Sequence, residues 1–110
     1  MIHEHQLRTI TQNNNGYIAY CDGCKKYNIA YKNSLLVFTE LELDAFKQLL
    51  ENRIGIYSFS TTHGKELFLK TPLSNLFILF TEVELEELID MISKVNFLLN
   101  AHVRANSNPN

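Results

Sequence analysis

Cys21-Asp22-Gly23-Cys24 is the stretch whose residue types and spacing could carry chemistry. Two thiols spaced C-x-x-C on a tight turn point at a common centre, and two thiolates fill half of a tetrahedral zinc site. A structural zinc takes four ligands, and the chain holds 2 cysteines and 4 histidines. The remaining soft donors are therefore His3, His5, His63 and His102. His3 and His5 are two apart, which puts both on one face of an extended segment. His63-Gly64 stands in the second half of the chain where Asp22-Gly23 stands in the first. The pattern predicts Zn2+ on Cys21 and Cys24, completed by His63 and one of His3 and His5. An all-thiolate site shared by two copies of the chain, each giving its cysteine pair, is the other arrangement it allows. Lys25 and Lys26 follow the second thiol, and a neighbouring ammonium lowers a thiol pKa.

Two other readings of the pair compete. Thiol redox work needs an activated first cysteine, normally where a strand enters a helix. Here Lys25-Lys26-Tyr27-Asn28 and a strand follow, with no βαβ unit around them. The plainest reading is structural, two small reduced thiols flanking a hairpin. Around the pair lie Tyr17, Tyr20, Tyr27 and Tyr31 with Lys25, Lys26 and Lys32. Aromatics interleaved with lysines can stack the bases of a single strand. A net charge of -2 gives that reading no support, and a half-exposed tyrosine face equally suits a protein partner or a homodimer. There is no Gly-rich phosphate loop, no H-E-x-x-H and no nucleophile elbow, so no catalytic site is expected.

The elements that must position the turn follow from a repeated hexamer. Phe38-Thr39-Glu40-Leu41-Glu42-Leu43 and Phe80-Thr81-Glu82-Val83-Glu84-Leu85 are each a capping box. The Thr hydroxyl receives the N–H three residues on, and that residue's Glu reaches back to the Thr N–H. The acids of these first turns are thereby explained as caps and dipole partners, not as catalytic or metal groups. A fully apolar run precedes each box, Ser34–Phe38 and Leu76–Phe80, and reads as a central strand. Before those runs, Tyr17–Tyr20 and Tyr27–Tyr31 read as a hairpin with Asp22-Gly23 as a type I′ turn. Ile56–Ser60 and Leu67–Leu69 read as the equivalent hairpin, and a short strand near 6–12 is a further candidate. The first helix is expected over roughly 40–52, ended by Gly55, and the second over about 82–101.

The chain thus reads as β-β-β-α twice. We expect an α+β, two-layer domain over residues 1–104, with one antiparallel sheet of about six strands and both helices on one face. Residues 105–110 carry no large apolar side chain and are expected to be disordered. The 110 residues suffice for one core without disulfide staples. No apolar run reaches bilayer-spanning length and no signal peptide is visible, so a cytoplasmic protein with reduced thiols is the expectation.

The layout G-Y-I-A-Y-C-x-x-C, an aromatic strand, a capped helix, then T-P before a second strand and helix resembles a family of small single-domain proteins of unknown function from Bacteroidetes-type bacteria. Gly16, Cys21, Cys24 and Pro72 match its pattern. The resemblance implies no activity and leaves the metal, redox and structural readings open.

Overall fold

The computed structural model describes residues 7–59, 64 and 66–107, with backbone alone for 96–107. Four strands form a meander: β1 (Leu7–Asn13), β2 (Gly16–Cys21), β3 (Lys26–Tyr31) and β4 (Ser34–Phe38). Helix α1 (Glu40–Glu51) follows. A second meander contains β5 (Ile56–Ser58), β6 (Leu67–Lys70) and β7 (Phe77–Phe80), and α2 (Glu82–Ser107) completes the chain. The fold is α+β. Helix α1 lies on β3 and β4, α2 lies on β1, β2 and β7, and the helices touch each other.

Both capping boxes form. Glu42 N–H donates to Thr39 Oγ1 at 3.2 Å and Thr39 N–H to Glu42 Oε1 at 2.8 Å. The second copy has Glu84 N–H on Thr81 Oγ1 at 3.0 Å and Thr81 N–H on Glu84 Oε1 at 2.9 Å. Helix α1 ends in a Schellman motif. Ile54 N–H reaches Leu49 O at 2.9 Å and Arg53 N–H reaches Leu50 O at 3.2 Å. The left-handed residue there is Arg53 (φ 55°), two residues before the Gly55 expected to end the helix. A non-glycine costs about 1 kcal/mol in that conformation. Arg53 is held by a two-armed ion pair to Glu82, with Nη1–Oε1 at 2.9 Å and Nη2–Oε2 as the second arm. Helix α2 continues past 101 to Ser107, through three residues of the segment expected to be disordered.

The single six-stranded sheet is corrected to two sheets, of four strands (β1-β2-β3-β4) and three (β5-β6-β7). Every pairing joins consecutive strands, so each half satisfies its backbone locally. The apolar runs read as central strands, Ser34–Phe38 and Leu76–Phe80, are consequently both edge strands. A shared core still unites the halves. Ile18, Ile29, Tyr27 and Tyr31 of the larger sheet, Ile56, Leu67, Leu69 and Phe80 of the smaller, and the buried stripes of both helices form one cluster.

Gly16 fixes the register of the larger sheet beside its first turn. It pairs with Tyr31, and a Cβ there would lie 2.0 Å from Ala30 O and 2.9 Å from Tyr31 Cα. Only glycine allows that approach. The turn before it is closed by Asn13 Oδ1, which accepts the N–H groups of Asn15 (2.8 Å) and Gly16 (3.0 Å).

Candidate functional site

The cysteine turn is wider than a two-residue hairpin. Cys21 pairs with Lys26, which leaves Asp22, Gly23, Cys24 and Lys25 as the loop. Lys25 N–H closes it on Cys21 O at 2.7 Å. The left-handed residue is Lys25 (φ 57°), not Gly23, so the expected type I′ turn on Asp22-Gly23 is not formed. This shape aims a backbone amide at sulfur: Cys24 N–H donates to Cys21 Sγ at 3.2 Å. Such a bond favours a thiolate, the form that binds a metal. Cys21 is buried, Cys24 is half-buried, and no disulfide joins them. Arg8 on the neighbouring strand reaches Asp22 Oδ1 at 3.7 Å and stands 5.9 Å over the Tyr20 ring.

The thiol chemistry runs against the lysine expectation. The Cys24 thiol is pushed up by its hydrogen bond with Cys21, then by burial and by the neighbouring Cys21 charge; Lys26 pulls the other way and loses. A redox nucleophile needs the opposite shift, and so does a metal-binding thiolate, for which the cation itself would supply it.

Of the predicted ligands, Cys21 and Cys24 come together. His3, His5 and His63 lie outside the described residues, and His102 is on α2 within the stretch described as backbone. Among the described residues, no cluster of three or more His, Cys, Asp or Glu side chains could hold a metal. Leu7 pairs with Cys21, so the chain enters the larger sheet beside the turn. The smaller sheet pairs Ser58 with Leu67 beside Phe80. That end leads into the start of α2, which is tied to the opposite end of the larger sheet from the cysteine turn.

The tie is a polar knot. Tyr31 O–H donates to Glu87 Oε1 at 2.6 Å, Asn15 Nδ2 donates to the same oxygen at 2.7 Å, and Lys32 Nζ stands 3.6 Å from Glu84 Oε2. Tyr31 and then Asn15 hold the Glu87 carboxyl below its usual value. Burial, followed by that carboxylate, raises the Tyr31 phenol.

The tyrosines do not form the exposed face expected of them. Tyr27 and Tyr31 are buried, and Tyr20 is half-buried with its ring 4.8 Å from Tyr27. By the sheet's alternation all three face the helices and only Tyr17 lies on the other side. Strand pairing explains this: Tyr20 opposes Tyr27, so their rings belong to one face and fill it. A stacking platform for bases would need those faces exposed.

A second concavity was not anticipated. A cleft of about 640 Å³ runs between the two sheets. Its walls are the two edge strands with the residues leading into them, Lys32 to Leu36 and Phe38 on one side and Leu76 to Phe80 on the other. Its floor includes Phe46, Leu49, Leu69 and Leu88. The sequence signal was present in the unbroken apolar runs before each capping box, which alternation alone could not assign to an edge.

Residues 1–105 match the family described as Family of unknown function (DUF6686). The chain belongs to DUF6686. This agrees with the resemblance to a small single-domain family of unknown function. No curated protein and no solved structure matches the chain. Among the described residues, no helix is long and apolar enough to cross a membrane.

Proposed function

We propose that this DUF6686 chain is a non-enzymatic binding module whose Cys21–Cys24 turn holds a zinc ion, in a cytoplasm that keeps its thiols reduced. The observation that carries the reading is the Cys24 amide on Cys21 Sγ at 3.2 Å, within a loop turned by Lys25 at φ 57°. A turn that points an N–H at one sulfur, with a second cysteine three residues on, presents two thiolates to one tetrahedral centre. His63 and one of His3 and His5 supply the remaining donors in this reading, the N-terminal one favoured by the pairing of Leu7 with Cys21. The metal would tie the chain's start to the hairpin and add folding free energy.

Metal analysis of protein purified without chelator tests this. About one zinc per chain, lost in Cys24→Ser, is the expected result. Less than about a tenth of a zinc per chain, with both thiols open to a thiol reagent, removes the proposal.

A further inference from the structure

Four sheet edges exist among the described strands, and they are not alike. β1 carries Arg8 and Gln12 and an irregularity between Thr9 and Thr11, and β5 has three residues. A bulge, polar side chains and shortness are the ordinary protections of an edge. β4 (S-L-L-V-F) and β7 (F-I-L-F) carry no charge, no proline and no bulge. Their outward side chains are large and exposed: Leu35 at 59 %, Val37 at 48 %, Phe77 at 44 % and Leu79 at 45 %. Such strands have the composition of sheet interiors. Both unprotected edges bound the same cleft: β7 lines it with every residue from Phe77 to Phe80 and β4 with Ser34, Leu35, Leu36 and Phe38, where a pocket on a sheet face would be lined by alternate ones. The open edges themselves, with backbone groups turned away from their partner strands, form the walls. No backbone hydrogen bond joins β4 to β7 among the described residues. The end of β7 leads into α2, whose Glu84 and Glu87 meet Lys32 and Tyr31 beside the start of β4.

We infer that the cleft between β4 and β7 binds an extended peptide segment of a partner protein, which inserts as a strand and joins the two sheets. The segment is apolar on the side facing Leu36, Leu69 and Ile78 and carries an acidic side chain at the Lys70 end. Strand addition supplies main-chain hydrogen bonds for affinity and side-chain pockets for selectivity. The acid follows from charge. Of the charged residues lining the cleft, Lys32 is matched by Glu84, while Lys70 stands 5.1 Å over the Tyr57 ring with no ion pair among the described residues. The inference goes beyond the zinc reading and does not depend on it. Zinc content and peptide binding fail separately.

The test pans a phage-displayed library of random short peptides on the full chain, and the selected peptide is then resynthesised. Alternating apolar sequences with a terminal acid are expected. Binding should slow hydrogen exchange at both β4 and β7 about tenfold or more. Methylating alternate peptide amides should weaken binding about fivefold to tenfold. Lys70→Glu should weaken it about threefold, and replacing the peptide's acid by lysine should restore it. The inference is overturned if no sequence is selected, if N-methylation is without effect, or if bound peptide leaves either edge exchanging as before. Two further arms also overturn it: hexadecanoate that fills the cleft and displaces the peptide without slowing edge exchange, or a dimer that protects β4 alone.

Discussion

Tyr31→Phe removes one hydroxyl from the knot that seats the start of α2 on the larger sheet. The lost bond is the 2.6 Å contact to Glu87 Oε1, which keeps its second donor, Asn15, at 2.7 Å. A hydrogen bond to a charged group contributes about 1.5–3 kcal/mol. Glu87 is half-exposed and retains Asn15, so the expected loss is discounted to about 1 kcal/mol. With a urea m-value near 2 kcal/mol/M, the unfolding midpoint should fall by about 0.5 M. The pH dependence adds a sign. Tyr31 and Asn15 hold the Glu87 carboxyl below its usual 4.5 in the folded chain. A depressed carboxyl contributes stability that is present above the unfolded value and lost as pH falls through the folded one. The gap between wild type and Tyr31→Phe should therefore be widest at neutral pH and narrow below about pH 4. Urea titrations monitored by circular dichroism across that range measure it. A neutral-pH gap of zero, or one that widens on acidification, would refute the account of the knot.

Gly16→Ala should destabilise by about 2 kcal/mol or more, read as a lower thermal midpoint, because its Cβ meets the backbone of Ala30 at 2.0 Å. Thr39→Ala and Thr81→Ala should each cost about 1 kcal/mol and add in the double variant, since each cap is confined to its own first turn. Tyr27, pushed up to about 12 chiefly by burial, stabilises the fold fully below its unfolded value of 10.0 and progressively less as pH rises from there towards 12. Its tyrosinate absorbance should appear together with unfolding in that window.

Local features of this fold were legible and long-range ones were not. The capping boxes at Thr39 and Thr81 were readable because every atom involved lies within three residues. The strands around Tyr17–Tyr20 and Tyr27–Tyr31 were readable from β-forming residues and turn signals. The number of sheets was not, because nothing local says whether Leu36 or Ile78 finds a partner strand on its open side. Left-handed backbone at Lys25, Lys32 and Arg53 was invisible, since a glycine stood close to two of them and drew the assignment. The burial of Tyr27 and Tyr31 depended on α1 and α2 packing over them, a contact distant in sequence. At the candidate site the pairing of Cys21 with Cys24 was legible from spacing. The amide on Cys21 Sγ was not, because it requires the four-residue loop that the register of Cys21 with Lys26 imposes.

Cobalt substitution tests the metal-holding turn most directly, because the ion reports its own ligands. Adding Co2+ to the reduced, metal-free chain should give a thiolate-to-metal charge-transfer band with the intense visible absorption of a tetrahedral site. Zinc should bleach both, and Cys24→Ser should abolish the charge-transfer band or sharply weaken it. A pale octahedral spectrum without charge transfer, identical in wild type and Cys24→Ser, would contradict the claim that Cys21 and Cys24 bind a metal together.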